Sequence, residues 1–398
     1  MADIKNYIKE KEKRHTSRED YKEKIRKHKM AGVYRVLIVL SIVAALGTIV
    51  AVQYKRHVYT GYDVVASQIR DTAEEATDVR LANSVFTYSN DGAHCTDIKG
   101  NVTWNQTYEI QDVKLASNGN VVAIGNYNGR DIYVQSTQEQ LGKFTTTMPI
   151  RNLTVSAAGR VSAVLADTDV TWINTYDAKG ELLYYSQTHM QNSGYPAALS
   201  LSPNGELLAV SYVYVDAGIV KTNVAFYNFG PVGANQSDFL VSAHTYQDML
   251  VPQVQFMNDS AAFAVGDNRL MIYVGDQKPV SAAEYLYDDE VQAVFYNENY
   301  VGLVFASDKA EHKYRMNVYN TEAEEVGRYY FDMEYTDIFF EKDQFVVYNE
   351  TECLIMTFKE DIKYEGLFSK TVNLMIPTDR AYRYVLVSDQ SIDIVQLK

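Results

Sequence analysis

Seven histidines are the first residues to weigh as chemical groups. His15 and His28 lie near the N-terminus, His57 follows an apolar run, and His94, His189, His244 and His312 fall in separate stretches. No H-x-H or H-x-x-x-H pair occurs among them, and zinc needs three or four converging ligands, so the spacing predicts no metal site. A catalytic nucleophile needs a base beside it, yet the chain has neither a G-x-S-x-G elbow nor a cysteine in suggestive company. Two cysteines, Cys95 and Cys353, exclude a disulfide-stapled scaffold and cysteine clusters for zinc or iron-sulfur. Quinone chemistry would call for adjacent cysteines and a tryptophan floor. Here the cysteines are far apart, and Trp104 and Trp172 sit in strand-like runs as packing residues, so no cofactor is expected.

Carboxylates offer more. Asp167 and Asp169 share a turn, and Asp288, Asp289 and Glu290 form a second acidic group. Either would serve calcium or a glycosidase pair if partners converged on it. The D-x-D-x-D-G loop is absent, which favours solvated turns. The 32 tyrosines combine apolar area with a hydrogen-bonding tip, and most are expected to pack between strands. Tyr127 in NYNG, Tyr195 in SGYP and Tyr246 are the candidates for surface binding.

The elements that must position these residues are short. From Tyr62 onward, runs rich in Val, Ile, Tyr, Phe and Thr are broken by Asn-Gly, Asp-Gly, Lys-Gly and Pro-Asn-Gly turns. Asp112 to Thr147 parses as four strands, DVKLAS, NVVAIGN, DIYVQS and LGKFTTT, and Ile150 to Thr188 repeats the order. Further units begin near Ala197, Val251, Val291, Thr336 and Val372, and Val79 to Tyr108 supplies one more. A period of about 40 residues is that of four-stranded propeller blades. Segments such as VVAIG and YVGLVF are apolar on successive positions, which means both faces are covered, as in blades packed around an axis. The expected fold is all-β, an eight-bladed β-propeller with seven blades as the alternative. The last unit has only three strands, so Tyr62 to Arg70 is expected to close the ring as its fourth. Cys95 and Cys353 then occupy third strands two blades apart, too distant for a disulfide.

Ahead of the repeats, Val36 to Val52 holds 17 positions without a charge, about 26 Å of helix. This predicts one membrane span over 36–54, with Val36, Leu40, Val43, Leu46, Val50 and Val52 facing lipid. Residues 1–35 form a basic tail, helical or disordered, with Glu10 and Arg14, and Glu23 and Lys27, at i, i+4 spacing. A linker over 55–61 leads to a domain over 62–398. The tail holds 12 of the 37 Lys/Arg and 6 of the 51 Asp/Glu, leaving 25 against 45 in the remainder. Positive charge ahead of the span predicts a cytoplasmic N-terminus and an extracellular domain at the cell membrane. An acidic body excludes nucleic acid as a partner.

With these parts in view, the chain resembles a family of uncharacterised membrane-anchored β-propeller proteins of Gram-positive anaerobes (Clostridia), a domain-of-unknown-function family. The stretches that carry the likeness include YRVLIVL from Tyr34, YTGYDVVAS from Tyr59, FTYSNDGAHCTD from Phe86, LSPNGELLAVSY from Leu201, VAFYNFGPVG from Val224 and FAVGDNR from Phe263. A looser likeness is to quinoprotein-type and WD-type propellers. The resemblance implies a bacterial, surface-facing propeller and carries no catalytic or binding residues with it. The functional expectation is a non-catalytic binding, scaffold or sensor module for an extracellular protein or envelope polymer, with a cytoplasmic partner for the basic tail. The alternative is an envelope hydrolase or lyase using carboxylates at the central channel.

Overall fold

The computed structural model describes residues 2–70, 76–167, 170–188 and 194–398, and divides into a helical unit, Met1–Val58, and a β unit, Tyr59–Lys398. In the first, one α-helix runs from Ala2 to Arg56. The tail contains no Gly or Pro before Gly32, so nothing in it breaks the helix. Glu10 and Arg14 meet at 3.8 Å on its solvent face. The side chains of Glu23 and Lys27, like those of Val50 and Val52, lie outside the described residues. The stretch long and apolar enough to cross a membrane is His28–Thr48, which begins ahead of the expected Val36. Val36, Leu40, Val43 and Leu46 are all more than half exposed within the unit, so no protein covers them.

The β unit is an eight-bladed propeller of eight four-stranded antiparallel sheets. Blades 1 to 7 span residues 77–107, 113–145, 150–188, 195–247, 253–286, 293–331 and 337–367. Blade 8 takes three strands from 374–397 and its fourth from Tyr62–Ile69, in the order fourth, third, second, first. First strands meet between blades 2 and 3, 3 and 4, 4 and 5, 6 and 7, and 8 and 1, which places them at the axis. The second strands are buried on both faces, as in Val161–Ala166, because each blade packs against two others. Outer strands alternate, as in Val280–Leu286, since one face meets solvent.

One irregularity recurs in all eight blades. The register between third and outer strands slips by one residue, as between Cys95/Thr96 in blade 1, Val134/Gln135 in blade 2 and Ile355/Met356 in blade 7. The closing strand slips in the same way, between Val64 and Ala66. A bulge increases right-handed twist, which each blade needs in order to splay from the axis to the rim.

Closure is also fixed by side chains. Tyr62 to Ile69 pairs with Ser391 to Leu397. Ser67 donates to Asp393 at 2.6 Å, and Lys370 pairs with the same buried carboxylate. Arg70 then bonds Asp78, on the inner strand of blade 1, through both nitrogens at 2.7 and 2.5 Å, and also reaches the Thr87 hydroxyl. That pair is almost fully enclosed, so it rivets blade 8 to blade 1. Cys95 and Cys353 are buried free thiols on third strands of blades 1 and 7, with blade 8 between them. Burial pushes both thiols up, and they pack as small apolar side chains.

Candidate functional site

Tyr127 is 37% exposed, with Lys114 Nζ 5.1 Å and Arg151 Cζ 5.4 Å from its ring centroid. Tyr195 is half-buried and opens the inner strand of blade 4. Tyr246 corrects the sequence expectation, because it is buried and its hydroxyl shares a 2.8 Å hydrogen bond with Tyr273. It lies on the outer strand Leu240–Gln247, where alternation turns Ser242, His244 and Tyr246 inward, and it joins the packing between blades 4 and 5. Asp289 accepts from Arg315 at 2.8 Å, and Arg315 also holds Asp308 while covering the Phe305 ring, so this carboxylate serves an ion-pair network. Asp169, His189 and Ser193 lie outside the described residues. Among the described residues, no group of three or more His, Cys, Asp or Glu is placed to hold a metal.

The structure brings together a different set of tyrosines. Blade 4 is enlarged: its second and third strands, Leu207–Asp216 and Ile219–Asn228, run to ten residues each. Between its third and outer strands the chain adds two 3-10 turns, Gly233–Asn235 and Ser237–Phe239. This loop folds toward the outer strand of blade 3, Leu182–Thr188, where Tyr184 stacks on Phe229 at 4.2 Å and meets Phe239 edge-on at 4.9 Å. The Tyr184 hydroxyl donates to the Phe229 carbonyl at 2.9 Å, which ties the loop to the neighbouring blade.

Two adjoining cavities result, a narrow one of about 20 Å³, room for little more than one water, and an open one of about 410 Å³, within the size range of ligand sites. They share Ser186, Tyr212, Tyr227 and Asp238. The hydroxyls of Tyr212 and Tyr227 are 2.9 Å apart, and burial raises both, so they remain neutral hydrogen-bonding groups. Tyr185 stands 68% exposed beside Trp172 on the opposite face of blade 3, turned to blade 2, and the Asn223 Oδ1 is enclosed without a protein partner. Asp238 and Phe239 both adopt left-handed backbone, φ 56° and 60°, a conformation costly for a side chain as bulky as Phe. The cleft can grip a ligand by aromatic faces and hydroxyls. The sequence signal for it was the interval from Ala197 to Val251, longer than the period of about 40.

A second polar group lies on the inner strands. The Arg80 guanidinium, 5.9 Å from the Phe339 centroid, stands in the field of Glu298, Asp337 and Glu341, and burial lowers its pKa. Burial raises both Asp337 and Glu341.

Residues 55–397 match the family described as a family of unknown function, DUF5711. The chain belongs to that family. A search of curated proteins finds no match. Among solved structures, a eukaryotic initiation factor is similar at TM-score 0.51 and 12% identity over 84% of this chain and 86% of that one. Sqt1 from Chaetomium thermophilum follows at 0.50 and 12% over 85% and 99%. BamB from Moraxella catarrhalis gives 0.49 and 13% over 84% and 100%. At these identities the likeness concerns the fold alone.

Proposed function

We propose that the chain is a single-pass cell-membrane protein whose propeller, outside the cell, binds a protein or envelope polymer as a non-catalytic scaffold or sensor. The observation that carries this reading is the cleft between blades 3 and 4. An enlarged blade and a strained loop have been added to a regular ring there, and they line it with tyrosines and hydroxyls.

Proximity labelling in the native cell, from a tag after Lys398, tests the proposal. Wild type should label a defined set of envelope neighbours, and Asp238→Ala, at the residue that lines both cavities, should lose part of that set at equal expression. Identical sets would remove the cleft from the function.

A further inference from the structure

We propose that His94 makes closure of the ring sensitive to acid: once protonated, its imidazole sets a second cation beside Arg70 and loosens the closing strand Tyr62–Ile69 at its Arg70 end. The geometry starts from the ladder of blade 1. Asp78, Thr87, His94 and Asn105 are directly paired across its four strands, so their side chains share one face. Arg70 reaches into that face from the end of the closing strand. Its two terminal nitrogens hold the Asp78 carboxylate, and the Thr87 hydroxyl accepts from Arg70 at 3.1 Å while donating to Asp78 at 2.7 Å.

His94 is next in the row, half-buried, opposite Thr87 and in the field of both Arg70 and Asp78. Arg70 already occupies both oxygens of Asp78, so an imidazolium at this place adds charge without a free counter-charge in the row. The remaining neighbours do not supply one. Thr87 and Asn105 are neutral, as are Gln68, which packs at Gly100 of blade 1, and Ile392, which packs with Val85. Asp91 lies in the turn ahead of the His94 strand, and Asp389, in a turn of blade 8, accepts from Asn373. Asp71, Glu74 and Glu75 lie outside the described residues.

Burial first, and Arg70 second, hold the His94 pKa below its ordinary 6.5, against the pull of Asp78. The opened chain therefore binds the proton more tightly than the closed ring. The stability that neutral His94 contributes is full above 6.5 and is lost as pH falls from there toward the lowered value. Release of the strand relieves the conflict locally, because it returns both cations to water. The other side-chain contacts of that strand, Ser67 with Asp393 and Asp63 with Lys398, contain no histidine.

The test follows hydrogen exchange of the full chain in detergent micelles at pH 7.5 and 5.0, corrected for the intrinsic pH dependence of exchange. In wild type, protection over Tyr62 to Arg70 and over its partner Ser391 to Leu397 should fall by about threefold or more at the lower pH. His94→Gln and the smaller His94→Asn should both abolish the fall. His244→Gln should keep it, since that histidine, also lowered by burial, lies in blade 4. A fall that persists in either neutral variant at position 94, or no fall in wild type, would overturn the proposal. Greater protection at pH 5.0 would mean that a carboxylate receives the imidazolium, and overturns it too.

Discussion

Glu341 accepts from the Tyr384 hydroxyl at 3.1 Å and the Gln344 amide at 3.4 Å, and Asp337 accepts from the Ile338 N–H at 2.8 Å. Burial still wins, and both carboxyls sit above their ordinary values of 4.5 and 3.8. A raised folded pKa means the native state holds the proton more firmly than the unfolded chain does. Its stabilising contribution is complete below the ordinary value and is lost as pH rises through the raised one. Glu341→Gln keeps the shape and an acceptor for Tyr384 while removing the charge. The variant should melt about 1 to 3 °C above wild type at pH 7, with the gap closing toward pH 4. A variant that melts lower at pH 7 would mean that Arg80 requires this carboxylate. Such balances are invisible in sequence, because they depend on which groups three blades bring together. Tyr246 was misplaced for a related reason: its burial depends on which side of an irregular strand it falls. The thiols were legible because Cys95 and Cys353 sit at equivalent places in the repeat, and a repeat fixes the blades between them.

Blade count and closure could be read at the level of strands, because a blade requires four and the last unit supplies three. Tyr62 to Arg70 was the one strand-like segment without a sheet. The repeated bulge was not legible, since the inserted residues, among them Thr103, Leu141, Val65 and Lys363, share no residue type. Enlargement of blade 4 left only a stretched interval, which says that something was added and not what it lines. The closing strand carries more than its ladder, because Arg70 at its end pairs with buried Asp78 and Ser67 holds Asp393. Removing it should leave the buried Asp78 carboxylate without its cation, take the Ser67 hydroxyl from Asp393 and open an edge. A soluble fragment beginning at Asp71 should therefore aggregate or unfold well below one beginning at Tyr59, by scattering and thermal melt. Equal melting of the two fragments would show that the ring closes without this strand.

For the chain as a whole, the question is which side of a membrane each unit occupies. The first unit offers a helix whose apolar residues from Val36 to Leu46 have no protein cover, and water would penalise that stretch at about 25 cal/mol per Å² of apolar surface. A bilayer removes the penalty, and charge then sets the direction of insertion. Lys22, Lys24, Arg26, Lys27, Lys29 and Arg35 precede the apolar run, whereas Lys55 and Arg56 are the cations that closely follow it. Cytoplasmic retention of the more basic flank orients a single span with the tail inside. The body, at 25 Lys/Arg against 45 Asp/Glu, has no comparable basic segment to oppose translocation. A reporter active only in the cytoplasm should accordingly work when fused before Met1 and fail after Lys398, with the reverse for a reporter that needs export. The tail should also remain attached, because the apolar run is longer than a signal-peptide core and lacks a small-x-small site after it. Recovery of a mature chain beginning near Gln53 would convert the anchor into a cleaved leader and leave the propeller free of the membrane.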